Sequence, residues 1–344
     1  MRKGKKIGLY SQNRLSNFIN FGKQRQKNLL IIKKLRFSSL GKSPSMQQIL
    51  YRYCIYPLFY LVSKLPWRVL YTISDFVFVL VYYLFPYRKK VVLMNLSRSF
   101  PEKSERERKK IARDHYRYLI DSIFEAIKKI SVTESVLRER VKVKNLDQIQ
   151  QLYDQGKSIV VVMGHYGNWE LGGARVNIEA KHPLVCIYKK LHNEIFDQLL
   201  FDIRSRFGTE LVEARDTPRS MLANRDRTTA VVFLADQTPL LLRHAHWIKF
   251  LNQDTPVYQG TAQLAQKFDY PVVYFVVRRP KRGFYEVDFE LLVEEPNTVS
   301  DLEISKRHTR RLEQDIKAQP ELWMWTHRRW KRSHQKPKNV ASID

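Results

Sequence analysis

A chain of 344 residues has room for one large core or two modest ones. Its 44% hydrophobic and 12% aromatic shares exclude wholesale disorder, and two cysteines, Cys54 and Cys186, exclude a disulfide framework or a cysteine metal quartet. With 61 Lys+Arg against 34 Asp+Glu the formal charge is +27, so the surface will seek polyanions: nucleic acid, anionic lipid or an acidic carrier protein.

The charge is unevenly placed, with no Asp or Glu before Asp75. Residues 1–45 read as a basic, disordered arm; Met46 is an alternative start. From Ile49 to Tyr87 the chain is dense in Tyr, Phe, Leu and Val, interrupted by Arg52, Lys64, Arg68 and Asp75. Its longest charge-free piece, 76–87, falls short of the roughly 20 residues a spanning helix needs. Helices lying in a bilayer surface, apolar on one side and basic at the edges, fit better than a span; a buried helix pair is the alternative. Segment 101–130 repeats a face at helical spacing (Ile111, Tyr118, Leu119, Ser122, Ile123, Ala126, Ile130), with Glu102, Glu105 and Glu107 near its start. It predicts an amphipathic helix closing a membrane-associated helical region, 46–142.

From 143 to 332 short apolar runs alternate with amphipathic segments. Strands are expected at 158–163, 184–188, 229–235, 271–277 and 284–292, helices near 169–180, 194–206, 217–225, 258–268 and 301–318. This alternation predicts an α/β domain with a mixed, largely parallel sheet flanked by helices. A basic tail, 333–344, follows. Cys186, inside "PLVCIY", reads as inert packing.

Three His residues are followed five positions later by an acid: His165/Glu170, His192/Asp197 and His308/Glu313. The last two fall in expected helices, where five residues turn about 500° and point the side chains apart; both read as solvated surface. The first differs. "SIVVVM" has the continuous apolar character of a strand buried on both faces. His165 comes just past its C-terminal end, where open α/β sheets bind ligands. Gly164 and Gly167 permit a tight turn, and Asn168 is a good N-cap. Such a turn can fold Glu170 back toward the imidazole. A His oriented by a carboxylate is a general base for a hydroxyl or water. With no Ser or Cys nucleophile in the motif, direct attack by a substrate hydroxyl is expected, without a covalent enzyme intermediate. An Asn-capped helix whose His satisfies a buried hydrogen bond is the structural alternative. No second His stands at metal-ligand spacing, so no metal and no cofactor are expected.

"GHYGNWE" resembles the His-x4-acid motif of the lipid A biosynthesis acyltransferase family, the late lauroyl/myristoyl transferases of Gram-negative inner membranes. Further blocks resemble the family in the same order: 65–128, "YKKLHN" (188–193), "RSRFGTELVEARD", "LADQTP" and "PELWMWTHRRWKR". The resemblance runs from about Met46 to Arg332 and implies a glycerolipid-acyltransferase-like fold behind a membrane-associated helical region.

It implies that His165 deprotonates a hydroxyl of a lipid A precursor, which attacks the thioester of acyl carrier protein (or acyl-CoA). Glu170 would hold the imidazole in its productive tautomer. Arg204 and Arg206 would stabilise negative charge near the reacting carbonyl, and Asp236 would position substrate or an arginine, with Asn168 and Gln237 beside them. Arg328 and Arg329 would recognise phosphate or the acidic carrier, with Trp323, Trp325 and Trp330 at headgroup level. The implied setting is the cytoplasmic face of the inner membrane. The chain departs from the family after "LADQTP", at "LLLRHAHWIKFLNQDTPVYQG". Two other readings stand beside this one: an O-acyltransferase for an aminolipid or glycolipid, and a basic nucleic-acid-binding protein. The latter explains the charge but not the glycine-flanked histidine or the sheet pattern.

Overall fold

The computed structural model describes residues 45–337. The expected arm and the end of the expected tail lie outside them. Met46–Leu50 is a short helix with a capping box between Ser45 and Gln48, in a unit that ends at Tyr53. From Cys54 onward the chain forms one compact unit.

That unit is built on a seven-stranded sheet, β1 Val141–Val143, β2 Ile159–Met163, β3 Leu184–Tyr188, β4 Glu210–Glu213, β5 Ala230–Leu234, β8 Val272–Lys281 and β9 Phe284–Val293, in the order β1-β9-β8-β2-β5-β3-β4. All neighbours run parallel except β8 and β9. β6 Ala245–Phe250 and β7 Gln253–Tyr258 form a separate antiparallel hairpin. The central strand β2, IVVVM, is buried along its whole length, as expected for a strand covered on both faces. Each valine so enclosed contributes roughly 1.5–3 kcal/mol.

Helices cover the sheet. In chain order they are α1 Tyr56–Lys64, α2 Trp67–Val79, α3 Lys89–Ser99, α4 Glu105–Lys128, α5 Glu134–Arg140, α6 Leu146–Asp154, α7 Trp169–Glu179, α8 Glu194–Ser205, α9 Thr217–Ala223, α10 Gly260–Phe268 and α11 Asp301–Ala318. The expected α/β architecture and N-terminal helical region are both present. The hairpin, β1, β4 and the short helices α5 and α6 had no clear sequence signal.

α4 starts where the sequence suggests. Ser104 is its N-cap, accepting from the Glu107 amide, and Glu107 Oε2 accepts the Ser104 N–H at 2.7 Å. Its buried face follows the expected apolar stripe only in part: Tyr118 is buried, but polar residues are enclosed beside it. Ile123 is 49% exposed, whereas His115, Asp121, Glu125 and Lys128 are buried. The polar residues are enclosed because they are paired. Asp121 takes Ser74 Oγ, Arg279 and Arg282, and Glu125 takes Tyr71, Asn168 and Tyr285.

The same pairs hold α2 against the domain. Leu70, Ser74 and Phe78 face inward, and Asp75 binds Arg282 at 2.9 Å. Val69, Phe76 and Val79 face outward, and a wider-wound turn carries the helix on to Leu84. Trp67–Leu84 is long and apolar enough to cross a membrane by length and composition. Its charged and hydroxyl contacts nonetheless fasten one face to α4 and to Arg282, just past β8.

Candidate active site

β2 ends at Met163 and the chain turns at once through Gly164, His165, Tyr166 and Gly167 into α7. Gly167 has φ +64, and a Cβ there would overlap the Val277 carbonyl of β8. Only glycine fits that approach. Asn168 caps α7, its Oδ1 accepting the Leu171 N–H at 3.0 Å. The C-terminal segment stitches the turn in place: Gly167 N donates to Leu322 O at 3.1 Å and Met324 N to His165 O at 3.2 Å.

Asp236 lies two residues past the end of β5, the strand paired with β2, so the sheet brings it to His165. His165 Nδ1 is 2.6 Å from Asp236 Oδ1, and the His165 amide donates to Oδ2 at 2.9 Å. Trp323 Nε1 donates to the same Oδ2 at 2.8 Å. Burial alone would raise the Asp236 pKa; the imidazole, the amide and the indole outweigh it and hold the carboxyl well below its ordinary range. An ionised Asp236 fixes the proton on Nδ1 and leaves Nε2 with its lone pair. Gln237, exposed, sits 3.2 Å from Nε2 through its side-chain nitrogen. Trp169 meets the imidazole edge-on at 5.2 Å.

Glu170 makes other partners. Its Oε1 accepts from Arg204 Nε at 2.7 Å, and its Oε2 from Lys129 Nζ at 3.2 Å. Burial opposes its charge, but Arg204 and Lys129 bring its pKa down to about 2. The same burial pushes Lys129 down against the pull of Glu170. Cys186 lies near these charges, its thiol pushed up to about 12 by burial, and so inert. The hydrogen-bonded carboxylate partner of His165 is therefore Asp236 and not the expected Glu170, because the helix that Asn168 starts sends Glu170 toward α4 and α8.

Other expected contacts are also reassigned. Asn168 is 2% exposed, with Oδ1 spent on the cap and Nδ2 on Glu125, so it presents nothing to a substrate. Arg206 Nη1 donates to the carbonyls of Lys129 and Val132, bracing the end of α4. Arg329 is 2% exposed and donates to Pro256 O, whereas Arg328 is exposed. Trp323, Trp325 and Trp330 pack together in the core, not at a membrane surface. His308 is buried rather than solvated, and Glu313 accepts the Leu251 N–H. His192 is exposed, as expected, but Asp197 is buried rather than solvated and accepts the Leu191 N–H at 2.9 Å. Sequence reasoning missed Lys129, which carries no spacing signal within "IKKIS". Among the described residues no cluster of His, Cys, Asp or Glu could hold a metal.

Residues 42–332 match the family model described as bacterial lipid A biosynthesis acyltransferase. The lipid A biosynthesis lauroyltransferase of Escherichia coli (strain K12) is 25% identical over 288 residues, 82% of this chain and 91% of that protein. A lipid A biosynthesis acyltransferase of Haemophilus influenzae is 25% identical, over 71% of this chain and 78% of its own. The lipid A biosynthesis palmitoleoyltransferase of Escherichia coli (strain K12) is 22% identical, over 71% and 79%.

Proposed function

This chain belongs to the bacterial lipid A biosynthesis acyltransferase family, and from that premise we propose that it moves a fatty acyl group from an acyl-carrier thioester to a hydroxyl of a lipid A precursor. The observation that carries the mechanism is the 2.6 Å contact between His165 Nδ1 and Asp236. Asp236 holds the Nδ1–H tautomer, so Nε2 accepts the proton of the acceptor hydroxyl. The oxygen attacks the thioester carbonyl, and a tetrahedral oxyanion forms. The C–S bond then breaks, and the leaving thiolate takes the proton back from the imidazolium. An ester and a free carrier thiol result, with no bond to the enzyme.

Glu170 serves as the anchor of Arg204 and Lys129. Two cations share one carboxylate beside the catalytic turn, and that excess suits a reaction whose charge develops as an oxyanion or thiolate. Acyl carrier protein is the donor proposed, with acyl-CoA as its competitor. The +27 charge suits both the acidic carrier and a phosphorylated, anionic acceptor. The outward apolar face of α2 suits work at the cytoplasmic face of the inner membrane.

The test is acyl transfer in vitro, with purified protein, acyl carrier thioester and lipid A precursor, the product identified by mass spectrometry. The expected outcome is a precursor heavier by one acyl group. His165→Ala abolishes the transfer, and Asp236→Asn lowers it by about 10³–10⁴, the loss typical of a misheld tautomer. An aminolipid or glycolipid acylated in preference would assign the acceptor elsewhere. Wild-type turnover by either variant would remove the mechanism.

A further inference from the structure

The segment that follows the catalytic carboxylate, 237–244, carries "TPLLLRH". Leu240 and Leu241 at its tip are 73% and 53% exposed. Exposed leucines on a loop are ordinary when single; an adjacent pair close behind an active-site residue is not. The loop is also braced. Thr238 Oγ1 donates to Arg329 O at 2.7 Å, and Arg332 Nη1 donates to the carbonyls of Pro239 and Leu240. The fold thus spends a guanidinium and a hydroxyl on holding two leucines out in water.

Two features indicate what covers them. First, the tip has a cationic collar: Arg243, Arg328 and Lys331 are all exposed. Second, the same C-terminal segment that braces the loop also binds the turn between α2 and α3. Arg88 Nη1 donates to Thr326 O at 3.2 Å, immediately after Leu84, Phe85 and Tyr87, which are 62%, 73% and 53% exposed. Two apolar tips, one aliphatic and one largely aromatic, are therefore anchored to one stretch, 326–332, with arginines and lysines beside both. Aliphatic and aromatic tips ringed by cations match the boundary between acyl chains and anionic headgroups.

We propose that the Leu240–Leu241 tip inserts into an anionic lipid leaflet, a second anchor that seats the His165–Asp236 pair at the bilayer surface. This deepens the acyltransferase reading by naming the membrane contact of the site, and its test needs no acyl transfer. An acyl carrier protein, also acidic, is the rival occupant; a second apolar tip at Leu84, Phe85 and Tyr87, held by the same C-terminal stretch, favours the extended surface of a lipid leaflet.

The experiment places a fluorescent reporter on the loop. In full-length protein carrying Cys54→Ser, Leu240→Cys is labelled with an environment-sensitive nitrobenzoxadiazole; Cys186, half-buried and with its thiol pushed up to about 12, stays unlabelled. Asp226→Cys is the control, since Asp226 is 90% exposed just before β5, at the end of the strand away from Asp236. On adding phosphatidylglycerol/phosphatidylethanolamine vesicles, the label at 240 is expected to brighten and shift to the blue, and the label at 226 to stay unchanged. Phosphatidylcholine vesicles should produce a weaker response. Leu240→Glu with Leu241→Glu should weaken vesicle partition by about tenfold or more. An unchanged signal at 240 while the protein cosediments with vesicles overturns the proposal. So does unchanged partition of the double variant, or a blue shift produced by acyl carrier protein without lipid.

Discussion

Asn168→Asp, read with and without Glu125→Gln, tests how the catalytic turn is held. Glu125 is 1% exposed; its Oε2 accepts from Asn168 Nδ2 and Tyr285 Oη, each at 2.5 Å, and its Oε1 from Tyr71 Oη at 2.7 Å. Asn168→Asp keeps the cap on α7 but sets a second carboxylate against the first. At that separation and an effective dielectric near 20, two full charges repel by roughly 6–7 kcal/mol. The pair escapes by retaining one proton. Holding a proton at pH 7 on a group of ordinary pKa 4.5 costs about 3.5 kcal/mol, at about 1.4 kcal/mol per unit. The cost falls below about 1 kcal/mol at pH 5. Asn168→Asp should therefore be near wild type in urea unfolding at pH 5 and lose stability and acyl transfer steeply by pH 8. Glu125→Gln supplies an NH₂ that donates to the introduced carboxylate and to Tyr285 Oη, so the double variant should regain both and lose the pH dependence. A loss equal at pH 5 and pH 8, or no rescue by the second change, would refute this account of the turn.

Glu170→Gln should leave the pH dependence of turnover unchanged while lowering its rate, because the carboxylate meets Lys129 and Arg204 rather than the imidazole; an altered titration of the base in the pH–rate profile would contradict this. Gly167→Ala should destabilise the protein by about 3 kcal/mol or more or prevent its folding, since the added Cβ meets the Val277 carbonyl at positive φ, and thermal unfolding measures it. Acid should destabilise in two stages. Burial pushes His115, His308 and His327 from 6.5 down to about 4, so the unfolded chain binds more protons there and stability falls as pH drops from 6.5 through 4. Glu170, at about 2 folded against 4.5, adds a loss between pH 4.5 and 2. Urea midpoints across pH 2–8 check both stages, and His308→Gln should flatten the first.

The strands with unbroken apolar runs were legible because burial on both faces leaves no room for a polar residue. β2, β3, β5 and β8 form where those runs stand, and β9 where apolar residues alternate with Glu286, Asp288 and Glu290. β1 and β4, at the sheet edges, are three and four residues long and too short to leave a pattern. The turn at His165 was legible through its glycines and Asn168. Its carboxylate partner was not, since Asp236 is distant in sequence and joins His165 only through the pairing of β2 with β5. Glu170 was the nearer acid and the wrong one for that hydrogen bond. Hydrophobic periodicity misplaced the inner face of α4 for a related reason. Asp121 and Glu125 are enclosed by partners from α2, α7, β8 and β9, and no local window contains them.

The last part of the chain closes the reaction centre. Leu322, Trp323 and Met324 bond Gly167, Asp236 and His165 respectively. A nascent polypeptide halted before 322 would carry the base and its acid yet lack the clasp that aligns them. A protease that nicks the 319–324 stretch is therefore expected to lower acyl transfer while leaving His165 and Asp236 intact.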